Sequence, residues 1–202
     1  EQALLPFFTT KPEGSGVGLA LVREVVHAHG GSLSLGENAG VRASNIETLY
    51  ASDGRPEGIT FKLHAAGSFV PVRVVGSVSK SVALACAAAG AVGTVFGMNL
   101  VQVSKALAGY RVPAGRLRLL DGIKGTLILD DSYNASPASM HLALETLKSS
   151  ADWRTVRRRV AILGDMLELG PHTINAHQAI GDLAGRVADV LVCVGERAKF
   201  IA

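Results

Sequence analysis

The sequence predicts an α/β protein whose C-terminal half is built on a parallel sheet. Two short apolar runs, Thr126-Leu127-Ile128-Leu129 and Val160-Ala161-Ile162, each end abruptly in a polar octet. The octets are Asp130-Asp131-Ser132-Tyr133-Asn134-Ala135-Ser136-Pro137 and Leu163-Gly164-Asp165-Met166-Leu167-Glu168-Leu169-Gly170. A third run, Val190 to Val194, follows a further helical stretch. Apolar runs broken by Asp, Asn, Gly and Pro read as buried strands opening into loops. Their alternation with helices implies right-handed crossovers between parallel strands. Ligands bind at the C-terminal ends of such strands, so the acidic and amide groups of the octets are candidate site residues.

In chain order, Pro6 to Gly18 reads as a loop running into a helix with Leu19, Val22, Val25 and Val26 at helical spacing. Gly30-Gly31 ends that helix and a strand follows at Ser32 to Leu35. Ser44 to Tyr50, Ile59 to His64 and Val70 to Val75 read as strands bounded by Gly, Pro or Asp. Helices are predicted near Ser79 to Phe96 and Leu100 to Ala108, then a loop from Tyr110 to Arg116. Strand 126–129 leads to a helix from Ser136 to Ser149, with Ser136 as cap and Pro137 at the first helical position. Strand 160–163 leads to a helix over Ile174 to Val187, and strand 190–194 comes last.

The 202 residues, 48% apolar and 18% charged, can bury a core of one large or two small domains. The net charge is only +3, and its dense basic cluster, Arg154 with Arg157, Arg158 and Arg159, reads as a solvated face or strand entrance. Without interleaved aromatics or a nucleic-acid-binding motif, no nucleic-acid partner is expected. Cys86 and Cys193 sit in apolar runs and read as small buried hydrophobes in a reducing compartment. Ser81 to Ser104 carries no charge, yet Gly90, Gly93, Gly97 and Asn99 punctuate it. It reads as a packed helix turning at Gly97-Met98-Asn99 into a second one, not as a membrane span. No cleavable signal is read at the N-terminus, and a cytoplasmic monomer is expected.

Asp130 and Ser136 fit turn or capping roles. Asp165 and Glu168 fit either substrate contact or loop ordering. His27 and His29 lack partners at metal-ligand spacing, so no metal site is expected. Met98, Met140 and Met166 read as core filler.

Two resemblances cover the chain. Pro6-Phe7-Phe8-Thr9-Thr10-Lys11, Gly14-Ser15-Gly16-Val17-Gly18-Leu19 and His29-Gly30-Gly31 resemble the end of the ATPase domain of sensor histidine kinases. In such a glycine box (here Gly14, Gly16 and Gly18), backbone amides approach phosphates at a helix N-terminus. The adenine-binding box, the magnesium-holding helix and the phosphoacceptor region of that family are missing. From about Val41 onward the chain resembles a Mur ligase. The residues that carry this are Pro113-Ala114-Gly115-Arg116-Leu117, the first octet with Ser139-Met140, the second octet, and Ala176-His177 with Gly181.

The second resemblance implies an ATP- and Mg2+-dependent amide ligase of peptidoglycan precursor synthesis. Its branch joins D-alanyl-D-alanine to UDP-muramoyl-tripeptide through an acyl phosphate. The two resemblances together imply three parts, which are 1–40 as a kinase-like ATPase fragment, 41–118 as the later part of a Mur central domain, and 119–202 as the first part of a Rossmann-like C-terminal domain. Arg116 is implied near the nucleotide, Asp131 on its ribose, and Tyr133 and Asn134 along the same cleft. A rigid guanidinium fork suits phosphate and an acceptor-only carboxylate suits a sugar diol. Asp165, Glu168 and His177 are implied on the substrate side, although on a helix face His177 reads by itself as a surface or packing histidine.

The family's Gly-x-Gly-Lys-Thr/Ser phosphate loop does not occur in the chain, and neither does the carbamylated-lysine segment or the UDP-sugar-binding domain. Gly76-Ser77-Val78-Ser79-Lys80-Ser81-Val82 stands where the family has Gly-x-His-Asn-x-x-Asn. The expectation is therefore a truncated ligase, inactive alone and with no catalytic residue of its own. The alternatives are a nucleotide-binding kinase remnant, or a non-catalytic or chimeric chain joined at Gly40-Val41-Arg42.

Overall fold

The computed structural model describes residues 40–153 and 156–202. The kinase-like glycine box, the helix and strand read before residue 36, and Arg154 lie outside the described residues. Two compact units divide the rest. One gathers residues 40–47, 60–73 and 81–110; the other gathers 48–59, 74–80 and the chain from 111 onward.

Strands β1 (Val41–Tyr50), β2 (Pro56–Ala65) and β3 (Ser68–Val75) form a sheet in that order. Each contains the shorter strand predicted for it. The two-residue turn Ala66-Gly67 between β2 and β3 has both residues at positive φ, 48° and 77°. That pair of dihedrals is the hairpin turn whose twist matches the flanking strands. Ile59, Phe61, Leu63 and Ala65 of β2 and Val72 and Val74 of β3 are buried. Successive strand side chains point to opposite faces, so this alternation marks one packed face.

In the first unit, α1 (Lys80–Val95) and α2 (Leu100–Ala108) occupy the uncharged stretch, as the sequence predicts. Val82, Ala83, Cys86, Ala87 and Gly90 line the buried stripe of α1. A Cβ on Gly90 would lie 3.1 Å from Leu63 and 3.3 Å from Val103, so the missing side chain lets α1 approach β2 and α2 closely. Gly97 turns the chain at φ 80°, and Asn99 caps α2 in a reciprocal box with Gln102. Among the described residues no helix is long and apolar enough to cross a membrane. Burial pushes the Cys86 thiol up from its ordinary range, as an inert core cysteine requires. Cys193 is only partly buried.

In the second unit, β4 (Arg118–Asp121) and β5 (Leu127–Asp130) pair antiparallel, whereas β6 (Val160–Gly164) and β7 (Val190–Val194) pair parallel. The parallel pair matches the sequence expectation. The β5 strand departs from it, because its hydrogen bonds go to β4 and none joins it to β6. The short connection Gly122–Thr126 accounts for the difference. It contains a single 3-10 turn at Ile123–Gly125, and a connection that short can only join antiparallel neighbours.

Helix α3 (Pro137–Ser149) starts at Ser136, whose hydroxyl accepts from Ser139 N while the Ser139 hydroxyl accepts from Ser136 N. The structure thus bears out the predicted cap and the Pro137 start. Replacing Ser136 with Ala removes this reciprocal box and should cost about 1 kcal/mol, read as a lower urea midpoint at unchanged slope. Helix α4 (Thr173–Val187) packs Ile180, Leu183, Ala184 and Val187 into a core with Met140, Leu144, Ala161, Met166, Ala198 and Ile201. Met140 and Met166 are core filler, as read from the sequence; Met98 is half-buried beside Gly93. Outside this core, Val160, Ile162, Val192 and Val194 are exposed.

Candidate functional site

The β5 strand ends in two successive aspartates that reach back to the loop before β4. Asp130 Oδ2 accepts from Gly115 N at 2.9 Å, and Asp131 Oδ1 accepts from Leu117 N at 3.1 Å. Tyr133 N donates to Gly115 O at 3.2 Å. Gly115 and Leu117 are both buried and both left-handed, with φ of 70° and 51°. Arg116 projects from between them, exposed, with its guanidinium carbon 4.1 Å from the centre of the Tyr133 ring. Tyr133 itself is 70% exposed, so this cation–aromatic pair stands open to solvent.

The two carboxylates differ in what they have left to offer. Asp130 Oδ1 takes both the amide and the hydroxyl of Ser132, at 3.2 and 2.6 Å. This is the turn role read from the sequence, with the bond from Gly115 in the loop before β4 added. Hydrogen bonds, first from the Ser132 hydroxyl and then from Gly115, hold its carboxyl below the ordinary range. For Asp131 burial dominates and raises the carboxyl, only partly offset by Leu117 N–H and the Arg116 charge. Its Oδ2 has no hydrogen bond among the described residues. Asn134 is exposed, with Oδ1 2.9 Å from Ala135 N.

The signs of these shifts differ. A raised carboxyl binds its proton more tightly folded than unfolded, so the Asp131 contribution to stability is full at low pH. It fades as pH rises from the unperturbed value of 3.8 through the raised one. The Asp130 contribution is present above 3.8 and is lost as pH falls through its lowered value. In Asp131→Asn the amide oxygen can still accept from Leu117 while the half-buried charge is gone. The variant should gain stability relative to the parent as pH rises through the carboxylate range, measured by urea unfolding at several pH values. A variant that loses stability across that range would contradict the assignment.

The second octet forms a separate hydrogen-bonded set. Asp165 Oδ1 accepts from Arg197 N at 3.0 Å and Ala198 N at 2.7 Å, so it orders the turn after β7. A side chain on Gly195 would collide with that carboxylate. His177 is fully buried. Its Nε2 accepts from Met166 N at 3.0 Å and its Nδ1 lies 2.7 Å from Thr173 O. Both contacts together require the proton on Nδ1. Glu168 is exposed, with a left-handed φ of 60°. No hydrogen bond or ion pair joins this set to the Arg116 set among the described residues.

The structure thus brings Arg116, Asp131 and Tyr133 together, with Asn134 adjacent in sequence. Asp165 and His177 lie in backbone-ordering positions of the second set. Sequence reasoning took Gly115 and Leu117 only as parts of a motif and passed over their bonds to the aspartates and the reach of Asp130. The signal available for them was a glycine two residues before Leu117, facing a strand that ends in a pair of aspartates. An open groove of about 850 Å3 in the first unit, lined by Phe69, Met98, Val101 and Lys105 among others, contains none of the predicted site residues. Among the described residues no three His, Cys, Asp or Glu side chains gather to hold a metal ion.

Comparisons with known proteins fit this fold. Residues 115–202 match the Mur ligase, glutamate ligase domain. MurF from Acinetobacter baumannii shares the fold with a TM-score of 0.70 and 30% identity, over 91% of this chain and 38% of that one. These matches support the Mur ligase family for this chain. Within the family, similar proteins are the UDP-N-acetylmuramoyl-tripeptide--D-alanyl-D-alanine ligases of Bacillus subtilis (strain 168) and Mycobacterium bovis. The first is 31% identical over 147 residues, 72% of this chain and 31% of that protein. The second is 40% identical over 141 residues, 67% of this chain and 27% of that protein. The chain therefore spans less than a third of the length of these two curated relatives.

Proposed function

We propose that the chain supplies the nucleotide-facing side of an ATP-dependent ligase that joins D-alanyl-D-alanine to UDP-muramoyl-tripeptide. The observation that carries this reading is the exposed Arg116 guanidinium, held on Tyr133 next to the half-buried Asp131. A guanidinium held over a ring face has further N–H groups with which to bond phosphate oxygens. The remaining oxygen of Asp131 can accept from ribose hydroxyls, and Tyr133 offers an aromatic surface beside them. These residues fit a nucleoside diphosphate or triphosphate. In the whole enzyme ATP would supply the phosphoryl group that activates the tripeptide carboxylate.

Residues 41–118 would then belong to the central domain and 119–202 to the C-terminal domain, in a cytoplasmic, monomeric enzyme. Asp165 and His177 would act on the substrate side by ordering loops, and Glu168 by direct contact. For residues 1–40 the kinase-like motifs support a second nucleotide-binding reading, tested by ADP affinity after joint replacement of Gly16 and Gly18.

Calorimetric titration of ADP into the 202-residue chain tests the main reading. Saturable binding is expected, weakened at least tenfold in Arg116→Ala, which corresponds to about 1.4 kcal/mol or more. Equal affinity in parent and variant would defeat it. The chain alone is expected to release no ADP from ATP in the presence of UDP-muramoyl-tripeptide and D-alanyl-D-alanine. Steady release dependent on both substrates would show instead that it is a complete catalyst.

A further inference from the structure

We propose that Asp130 is a positioning residue for Arg116. It fixes the backbone turn that lays the guanidinium on Tyr133, and so serves the ligand without touching it. The inference rests on the nucleotide reading of this site and assigns a role to a residue that reading leaves out.

The argument starts from the backbone on either side of Arg116. Gly115 and Leu117 are both left-handed, and Leu117 has a β-carbon that makes this conformation unfavourable. A strained non-glycine residue persists only where its surroundings impose it. Here they do, because Gly115 N, Gly115 O and Leu117 N are bonded respectively to Asp130 Oδ2, Tyr133 N and Asp131 Oδ1. Every one of these partners belongs to the octet that begins with the last residue of β5. The Arg116–Tyr133 contact is itself exposed, and exposed cation–aromatic pairs are too weak to hold a strained turn. The geometry therefore runs from the carboxylates to the arginine.

Asp130 and Asp131 divide the work. Asp130 receives three hydrogen bonds, two from Ser132 and one from Gly115, and both of its oxygens are engaged. The Ser132 bonds lock the carboxylate in place and the Gly115 bond transmits that position to the loop. Asp131 uses only Oδ1 on the loop and keeps Oδ2 for a ligand.

A thermodynamic cycle on the full chain tests this, with ADP as the probe. Arg116→Ala and Asp130→Ala should each weaken ADP binding at least tenfold. The double variant should bind no more weakly than Arg116→Ala alone, because residues acting through one another are non-additive. A second readout needs no ligand. In the parent, the Arg116 Nε–H resonance should carry an upfield ring-current shift from Tyr133. That shift should vanish in Asp130→Ala and largely return in Asp130→Asn, whose amide oxygen can still accept from Gly115. The Asn variant also keeps the test open if the Ala variant folds poorly. Additive losses in the cycle, or an Arg116 resonance unmoved in both Asp130 variants, would overturn the proposal. If Arg116→Ala leaves ADP affinity unchanged, the nucleotide reading fails, and the resonance still decides whether Asp130 positions Arg116.

Discussion

Replacing His177 with Ala is expected to lower the unfolding free energy by about 3–5 kcal/mol, the largest loss foreseen for any single substitution here. Two effects add. The imidazole is completely buried, so its removal leaves a cavity that the surrounding core can only partly fill. It also strands the amide of Met166, a residue that is itself fully buried, without an acceptor. A buried donor without a partner costs about 1–3 kcal/mol. The damage should be local as well as global. Met166 sits in the middle of the Leu163 to Gly170 octet, so its amide should exchange with solvent faster than the amides of α3. Urea unfolding measures the first effect and hydrogen exchange the second. A loss under about 1 kcal/mol with unchanged Met166 exchange would show that the ring is not the pin of this loop.

Gly115→Ala is expected to have the second largest effect, about 2–4 kcal/mol in stability together with loss of ADP binding. An added Cβ would lie 2.7 Å from Tyr133 N and 2.9 Å from Tyr133 Cβ, and both are too close to be absorbed without movement. The alanine would also have to adopt φ 70°, which costs an L-residue about 1–2 kcal/mol. The loop can relieve the clash only by moving away from the octet. That breaks the Gly115 bonds to Asp130 and Tyr133 and takes Arg116 off its ring. Thermal unfolding and ADP titration of the same preparation should therefore move together. Retained ADP affinity in a destabilised Gly115→Ala protein would mean that Arg116 does not need this turn.

These two residues show different limits of a sequence. His177 was legible as a surface or packing histidine on a helix face, while the resemblance carried by Ala176, His177 and Gly181 implied the substrate side. The contact that defines its environment, to an amide eleven residues earlier in a loop, exists only once α4 packs beside the Leu163 to Gly170 loop. Gly115 was legible as a loop glycine. That its missing side chain makes room for the backbone of Tyr133 depends on pairing β4 with β5, and the pattern of apolar runs had suggested a parallel partner for β5 instead.

The sequence by itself determined the local events of the fold. The Ser136 cap and Pro137 start of α3, the turn at Gly97-Met98-Asn99 and the three strands from Val41 to Val75 all follow from residues close together in the chain. Their causes are short-range: a hydroxyl within reach of an amide, a glycine at positive φ, a period of two. Tertiary structure alone decided which partner each strand edge took. It also decided which polar side chains were consumed in holding loops and which were left for a ligand. Asp130 and Asp131 are adjacent and chemically identical, yet one spends both oxygens on the fold while the other keeps one free. That distinction depends on loop amides fourteen and fifteen residues away, which the tertiary fold brings to the carboxylates and no local pattern encodes.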